Sequence, residues 1–188
     1  MKKITKYTLG LLVLALIAGS LFFKPIKFYA IKYANRFFSE NTTPVDKRTN
    51  ESIEVFDWSL RELEGETLNF EEFRGNVVLI NFWATWCPPC IKEMPSLQDL
   101  YDSYGDRVTF LFIARDKERN VSRFMEKNGY ALPVYFEDGI TPQLFYNPRI
   151  PSTFIVSREG TVAMAKSGEY DWNSAEVREL LDSLLSEM

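Results

Sequence analysis

Two cysteines, Cys87 and Cys90, are the only ones in the 188-residue chain, and two prolines separate them in the segment NFWATWCPPCIKEMP. Such a pair can form a structural disulfide, bind a metal with two further ligands, or exchange electrons as a dithiol. A closed zinc site takes its other ligands from Cys or His, and the chain contains no histidine. A disulfide closing so short a loop would contribute only about 2 kcal/mol to folding. The composition therefore favours dithiol exchange and excludes catalysis that depends on histidine.

The segments around the pair predict a strand followed by a helix. The apolar run NVVLINFWA indicates a buried central strand. An apolar face predicts a helix from about Pro88 to Tyr104, and its members are Cys90, Met94, Leu97, Tyr101 and Tyr104. Cys87 then lies at the helix N-terminus, where free N–H groups and the macrodipole lower a thiol pKa from ~8.5 to ~3.5–7.5. We therefore predict Cys87 as the exposed nucleophile and Cys90 as the resolving thiol.

Strands and helices alternate along residues 51–188, which predicts an α/β domain whose sheet is covered on both faces. IEVFDWSL and TLNF predict a pair of strands at its start, and RVTFLFIA predicts a second buried strand before the helix KERNVSRFMEKNG. PVYFE indicates a short strand, TPQLFY a helical turn, and STFIVS with TVAMAKSG a hairpin. Asn173 and Glu176 predict a capping box for a last helix.

The N-terminal residues differ from the rest of the chain in charge and hydropathy. Three lysines precede an uncharged run, residues 7–23, which is at the short limit for a membrane-spanning helix. We predict a signal anchor over residues 1–23, with a cleaved signal peptide as the alternative. Residues 24–50 are predicted to form a basic stalk, either amphipathic along the lipid surface or an ordinary helix, and a polar linker. Residues 41–188 carry 15 basic and 25 acidic residues, so we expect no nucleic-acid partner.

The segment VVLINFWATWCPPCIKEMP resembles the active-site segment of the thioredoxin superfamily. More narrowly, it is similar to the membrane-anchored TlpA/ResA-type branch, which includes the CcmG/DsbE-like proteins of cytochrome c maturation. The resemblance covers about residues 50–188. It implies a thioredoxin-like fold, in which helices flank a central mixed β-sheet, and a redox-active Cys87–Cys90 disulfide with no other cofactor. It also implies that Pro88 and Pro89 tune the reduction potential and contact substrate.

The resemblance assigns roles to two residues of RIPSTF, Ile150 and Pro151. In the superfamily a cis-proline faces the disulfide, and the residue before it, here Ile150, offers its backbone to an extended substrate. The alternative for Pro151 is an ordinary trans proline that opens an edge strand. Trp86 is expected to shield the disulfide and contact substrate, whereas Trp83 is expected to pack in the core.

Glu93 lies three residues after Cys90, at a spacing where ResA-like proteins carry a glutamate close to the active site. A partly buried carboxylate there would have a raised pKa and could carry the proton that the thiols exchange. Thioredoxins have a buried aspartate in the preceding strand, but this chain has Asn81 there, which cannot titrate. The alternative is a solvated glutamate on the helix surface.

These features together predict a membrane-anchored thiol–disulfide oxidoreductase on the extracytoplasmic, periplasmic side of a bacterial cytoplasmic membrane. The resemblance implies reduction of protein disulfides, with electrons from a membrane donor of the DsbD/CcdA type. Substrates in the family include apocytochrome c and copper-site cysteines, although Ser152 stands where the CcmG-like loop has a glutamate. The alternatives are a redox-inert thioredoxin-fold binding module and a thiol peroxidase. The peroxidase would need a Pro-x-x-x-Thr/Ser-x-x-Cys segment that the residues before Cys87 do not match.

Overall fold

The computed structural model describes residues 49–53, 57–63 and 65–187. Within these ranges the chain forms β1 (Ser59–Glu62), β2 (Thr67–Asn69), a 3-10 helix (Phe70–Phe73), β3 (Val78–Trp83), α1 (Pro88–Tyr104), β4 (Thr109–Ala114), α2 (Glu118–Asn128), β5 (Val134–Glu137), β6 (Ser152–Val156), β7 (Val162–Ser167) and α3 (Ala175–Ser186). The predicted signal anchor and nearly all of the predicted stalk lie outside the described residues. None of the helices in the described ranges has the length and apolarity needed to cross a membrane.

The strands form one mixed sheet in the order β2-β1-β5-β4-β3-β6-β7. Strand β4 runs parallel to both of its neighbours, β3 and β5. Strand β6 pairs antiparallel with β3 and with β7, and β1 pairs antiparallel with β2 and β5. The structure therefore confirms the predicted mixed sheet.

Strand β3 runs through the middle of the sheet because both of its faces are apolar. All six of its residues are buried. Since side chains alternate across a strand, Ile80 and Phe82 face one core cluster while Leu79 and Trp83 face the other. Strand β3 therefore ends inside the sheet, between β4 and β6, and the cysteine pair follows shortly after it.

The three α-helices of the described residues pack on the same face of the sheet, as their shared core cluster shows. The crossovers β3-α1-β4 and β4-α2-β5 step across the sheet in the same direction, and right-handed crossovers that do so place their helices on one face. The opposite cluster is closed by Trp58, Phe70 and Phe145, which come from connections and the 3-10 helix. Both faces are covered as predicted, but in the described part of the chain the α-helices flank only one of them.

Two local predictions at the ends of the domain were wrong. Of the described residues in the strand expected over 53–60, which leave out 54–56, only Ser59 and Leu60 lie in a strand, because pairing begins at Ser59 with β2 and at Leu60 with β5. The last helix begins after Ser174 and has no side-chain cap. Asn173 lies one residue before the N-cap position, and the two side chains bond elsewhere: Asn173 accepts from Arg178 Nε at 2.8 Å and Glu176 from the Tyr170 hydroxyl at 2.7 Å.

Candidate active site

The cysteine pair lies at the N-terminus of α1, and the two sulfurs form a disulfide. Cys87 is the residue that caps the helix: its Sγ accepts a hydrogen bond from the Cys90 N–H at 3.4 Å. Pro88 follows at the first helical position, where the missing N–H removes no hydrogen bond of the helix. The sequence correctly placed Cys87 where backbone N–H groups stabilise a thiolate.

The prediction that Cys87 is exposed was wrong for this disulfide-bonded form. Cys87 is 4% exposed and Cys90 is 1% exposed, so Cys87 is only slightly the more accessible of the two. Both sulfurs belong to the core cluster beneath α1, since the bond to the buried Cys90 holds Cys87 there. The neighbouring Trp86 is 65% exposed, and Pro88 is exposed while Pro89 is half-buried. Reagents in solution therefore meet Trp86 and the prolines before they reach a sulfur.

A clasp from the chain after β4 holds the turn that carries Cys87. The Arg115 N–H donates to the Trp83 carbonyl at 2.8 Å, and the Thr85 hydroxyl donates to the Asp116 carboxylate. Asp116 also accepts from the Lys117 N–H at 2.7 Å and from Asn120 Nδ2 at 3.0 Å. Partial burial acts to raise the pKa of Asp116, but donation by Thr85, Asn120 and backbone N–H groups outweighs it, and the pKa lies below its usual value.

This clasp was not predicted from the sequence, although the order of the strands contains a signal for it. The carboxyl ends of parallel strands meet at one edge of a sheet, which is where functional groups of α/β proteins collect. Arg115 and Asp116 follow β4 just as the cysteine turn follows β3, and β3 and β4 are parallel neighbours. Charged residues directly after the second buried strand could therefore have been expected beside the pair.

The Ile150–Pro151 bond is cis, as the resemblance implied, and Pro151 is buried. Because Ser152 pairs with Phe82 in the β3–β6 register, Pro151 lies level with the end of β3 that leads into the Cys87 turn. The Pro151 carbonyl accepts from the Gly168 N–H at 3.0 Å. Within the described residues, the N–H and carbonyl groups of Ile150 make no hydrogen bond. The half-buried Ile150 therefore has a free backbone edge next to the active-site end of β3.

Glu93 is buried, so the alternative of a solvated surface glutamate is wrong. Its side chain is 2% exposed and lies one helical turn from Cys90. Its Oε1 accepts from Asn81 Nδ2 at 2.9 Å, and its Oε2 accepts from Trp172 Nε1 at 3.1 Å. The same Asn81 Nδ2 also donates to Thr153 Oγ1 at 2.7 Å. A chain of polar groups thus runs from α1 through β3 to β6 beneath the cysteine pair.

Burial raises the pKa of Glu93 from its ordinary value near 4.5 to about 7. Hydrogen bonds from Trp172, Asn81 and the Tyr170 backbone oppose the rise, because they stabilise the carboxylate, and the nearby charge of Glu169 adds to it. Glu93 can therefore gain and lose a proton near neutral pH inside the core.

The two tryptophans before the pair differ in burial as predicted: Trp86 is exposed, whereas Trp83 is fully buried and packs on Phe124 with ring centroids 5.6 Å apart.

A reactive pair at a helix N-terminus, a free backbone edge and a titratable buried carboxylate together suit dithiol exchange with a polypeptide. This is the arrangement expected of thioredoxin-like thiol–disulfide oxidoreductases. The AhpC/TSA family model matches residues 53–165, and the chain belongs to that family.

Curated relatives support this class, and a solved structure supports the fold alone. The chain is 29% identical over 171 residues to the thiol-disulfide oxidoreductase ResA of Halalkalibacterium halodurans, which covers 89% of this chain and 90% of that protein. It is 33% identical over 141 residues to ResA of Geobacillus thermodenitrificans, covering 72% and 76%. A thiol:disulfide interchange protein of the thioredoxin family from Chlorobium tepidum TLS superposes with a TM-score of 0.58 at 23% identity, covering 72% of this chain and 98% of that one. The protein is thus an enzyme of this class with a thioredoxin-like fold.

Proposed function

We propose that this enzyme is a membrane-anchored, extracytoplasmic reductase of protein disulfides. The observation that carries the proposal is the placement of the Cys87–Cys90 pair beside the free backbone edge of Ile150 and one helical turn from the buried Glu93. The direction of electron flow is supported by the resemblance to the TlpA/ResA branch. The anchor is supported by the basic, then uncharged, sequence of residues 1–23.

The proposed reaction begins with the reduced pair. The Cys87 thiolate attacks one sulfur of the substrate disulfide, that S–S bond breaks, and the other substrate sulfur leaves as a thiolate and takes up a proton. Cys90 then loses its proton and attacks the Cys87 sulfur, which releases the second substrate sulfur as a thiol. Two electrons pass to the substrate, its two sulfurs take up protons from solvent, the Cys90 proton stays on the protein, and the Cys87–Cys90 disulfide forms. A membrane dithiol donor of the DsbD/CcdA type is proposed to reduce it again.

In this scheme Glu93 accepts the proton that Cys90 loses and returns it when the pair is reduced. A group with a pKa of about 7 is suited to both directions at neutral pH, because its two protonation states are similarly populated. Cys90 is buried away from bulk water, so its proton needs a carrier within the protein. Asn81 and Trp172 hold the carboxylate in place but do not titrate.

Substrate binding is proposed to use the Ile150 backbone. An extended polypeptide that adds to a free backbone edge gains main-chain hydrogen bonds, and these are largely independent of its sequence. Trp86, exposed directly before Cys87, is proposed to pack on the same polypeptide, and Pro88 and Pro89 to tune the potential of the pair. The particular substrate protein is left open by these contacts.

A thiol peroxidase is the second candidate, because family membership alone does not separate peroxide chemistry from dithiol exchange. Ile80 and Ala84 stand where the peroxidatic motif has its proline and its Thr or Ser before the cysteine. Consumption of hydrogen peroxide by the reduced protein would support this candidate. We expect none above the rate of an ordinary free thiol.

The reduction potential of the pair tests the direction of electron flow. The full-length chain in detergent would be equilibrated with thiol–disulfide buffers, with Trp86 fluorescence as the expected readout. A potential near or below about −230 mV supports a reductase that needs a membrane donor, whereas one near about −120 mV would indicate an oxidant. A pair that cannot be oxidised and reduced reversibly would favour the redox-inert binding module.

Protease digestion of intact spheroplasts tests the location of the domain, since the protease cuts only a domain on the extracytoplasmic side.

A further inference from the structure

The connection between β5 and β6, residues 138–151, begins and ends at the active-site end of the sheet. Strands β4 and β5 are parallel with Ile113 opposite Tyr135, so Glu137 lies level with Arg115, just after β4. The connection then crosses the face opposite the α-helices, where Phe145 is buried, and returns through Ile150 to β6. Contacts that hold this connection in position therefore also hold the backbone edge at Ile150 in position.

Arg115 ties this connection to the cysteine turn. Its guanidinium donates to the Asn147 carbonyl, lies 3.5 Å from the Glu137 carboxylate and stacks 4.6 Å from the centre of the Phe82 ring. Its own N–H is bonded to Trp83, at the start of the turn that carries Cys87. Arg115 thus contacts both walls of the site, the cysteine turn through its backbone and the 138–151 connection through its side chain.

Asn147 closes the short loop that carries Ile150. Its Nδ2 donates to Ser152 Oγ at 2.8 Å, and its Oδ1 accepts from the Arg149 N–H at 3.0 Å. The Ser152 hydroxyl in turn donates to the Arg149 carbonyl at 2.6 Å. Asn147 and Ser152 are both buried, at 7% and 0% exposed. These bonds join the two ends of the loop around Ile150 and leave the Ile150 backbone itself unpaired.

We propose that Arg115 and Asn147 are positioning residues that hold the Ile150 backbone edge ready for an extended polypeptide and so determine how well polypeptide disulfides bind, without acting on the reacting sulfurs. The inference rests on the proposed function. A loop held in its bound conformation loses little entropy on binding, and main-chain pairing depends on that alignment. A small disulfide without a peptide backbone cannot use the edge. The two residues therefore discriminate between classes of disulfide.

The test measures exchange between the reduced full-length protein and two disulfides, a synthetic extended peptide with an internal disulfide and bis(2-hydroxyethyl) disulfide. Rates are followed by stopped-flow fluorescence across disulfide concentrations, which separates half-saturation from the limiting rate. The variants are Arg115→Gln, the milder Arg115→Lys and Asn147→Ala. Arg123→Gln is the matched control, because Arg123 is exposed on α2 and has no partner among the described residues.

For Arg115→Gln and Asn147→Ala we expect the half-saturating peptide concentration to rise about tenfold while the limiting rate stays within about twofold. Arg115→Lys should fall between them and wild type, since one ammonium replaces a guanidinium that contacts Asn147, Glu137 and Phe82. Rates with bis(2-hydroxyethyl) disulfide should match wild type and Arg123→Gln.

Unchanged peptide half-saturation, or an equal loss with both disulfides, would overturn the inference. If Asn147→Ala does not fold, Arg115→Gln and Arg115→Lys still test the inference, because the Arg115 side chain is partly exposed. If the wild-type protein exchanges with neither disulfide, the proposed function itself fails, and this result is distinct from failure of the inference alone.

Discussion

Glu93 and Asn81 are buried partners: the carboxylate oxygen of Glu93 accepts a hydrogen bond from the Asn81 amide at 2.9 Å. In this chain the titratable group therefore lies on α1, one turn beyond Cys90, and its non-titrating support lies on β3. The strand provides a fixed hydrogen-bond donor, and the helix provides the proton carrier.

Stability should fall as the pH rises from about 4.5 to about 7, because of Glu93. Its pKa is higher in the folded protein than in the unfolded chain, so unfolding releases its proton in this range and is favoured by higher pH. The difference between a pKa of 4.5 and one of about 7 corresponds to roughly 3 kcal/mol, fully present below pH 4.5 and lost above pH 7. Urea unfolding of the oxidised protein at pH 5 and pH 8 measures it.

The matched variants isolate this contribution. Glu93→Gln should lose less free energy of unfolding than wild type between pH 5 and pH 8, since glutamine does not titrate. Glu126→Gln, on the exposed face of α2, should follow wild type. If the pH profiles of wild type and Glu93→Gln ran parallel, the raised pKa of Glu93 would be refuted.

The rate of dithiol exchange should show a pH inflection near 7 that belongs to Glu93. In Glu93→Gln the inflection should disappear, and in Trp172→Phe it should move to higher pH, because the carboxylate loses a stabilising hydrogen bond. Single-turnover exchange of the reduced protein with bis(2-hydroxyethyl) disulfide between pH 5.5 and pH 8.5 would measure this. An inflection that persists in Glu93→Gln would assign the titration to another group.

Asp116→Asn should destabilise the protein by about 1 kcal/mol at pH 7, because a partly exposed carboxylate that accepts several hydrogen bonds becomes a weaker acceptor. The pKa of Asp116 is depressed in the folded state, so its stabilisation is present above the ordinary value of 3.8 and is lost as the pH falls through the folded pKa. The difference in free energy of unfolding between wild type and Asp116→Asn should therefore be smaller at pH 3 than at pH 7. The control is Asp138→Asn, at an exposed position. If the two substitutions had equal effects on urea unfolding, the stabilising role of Asp116 in the clasp would be contradicted.

Trp86→Ala should leave the free energy of unfolding within about 0.5 kcal/mol of wild type, since the side chain is 65% exposed. It should nevertheless weaken binding of peptide disulfides severalfold, because an aromatic ring beside the sulfurs provides contact area for a polypeptide. Peptide exchange kinetics and urea unfolding on the same preparation would check both statements. A stability loss of several kcal/mol would show that Trp86 supports the fold instead.

Local patterns in the sequence predicted α1, β3 and the position of the pair. The helix bounds Pro88 and Tyr104 were correct because the apolar face, the N-terminal prolines and Gly105 all point to the same limits. Burial of Glu93 could be suspected from its spacing to Cys90, but not its partner Trp172, which is 79 residues away and reaches α1 only through the packing of the segment before α3.

Contacts that depend on the order of strands in the sheet could not be predicted from local sequence patterns. Arg115 and Asn147 are 32 residues apart, and no periodicity links a residue after β4 to a loop before β6. The failed capping box has a different, local cause, because Asn173 and Glu176 bond to Arg178 and Tyr170, side chains only five and six residues away. Exposure of Cys87 was overestimated because a helix N-terminus is usually solvated, whereas here the sulfur packs with Cys90 in the core.

Capture of a mixed disulfide tests the division of roles between the two cysteines most directly. The Cys90→Ser and Cys87→Ser variants would be reduced, mixed with a disulfide-bonded peptide and analysed by intact mass spectrometry. We predict that Cys90→Ser retains the peptide on Cys87 as a stable adduct, because no resolving thiol remains to release it, and that Cys87→Ser forms little adduct through the buried Cys90. A preferred adduct on Cys90, or none in either variant, would contradict the assignment of Cys87 as nucleophile and Cys90 as resolving thiol.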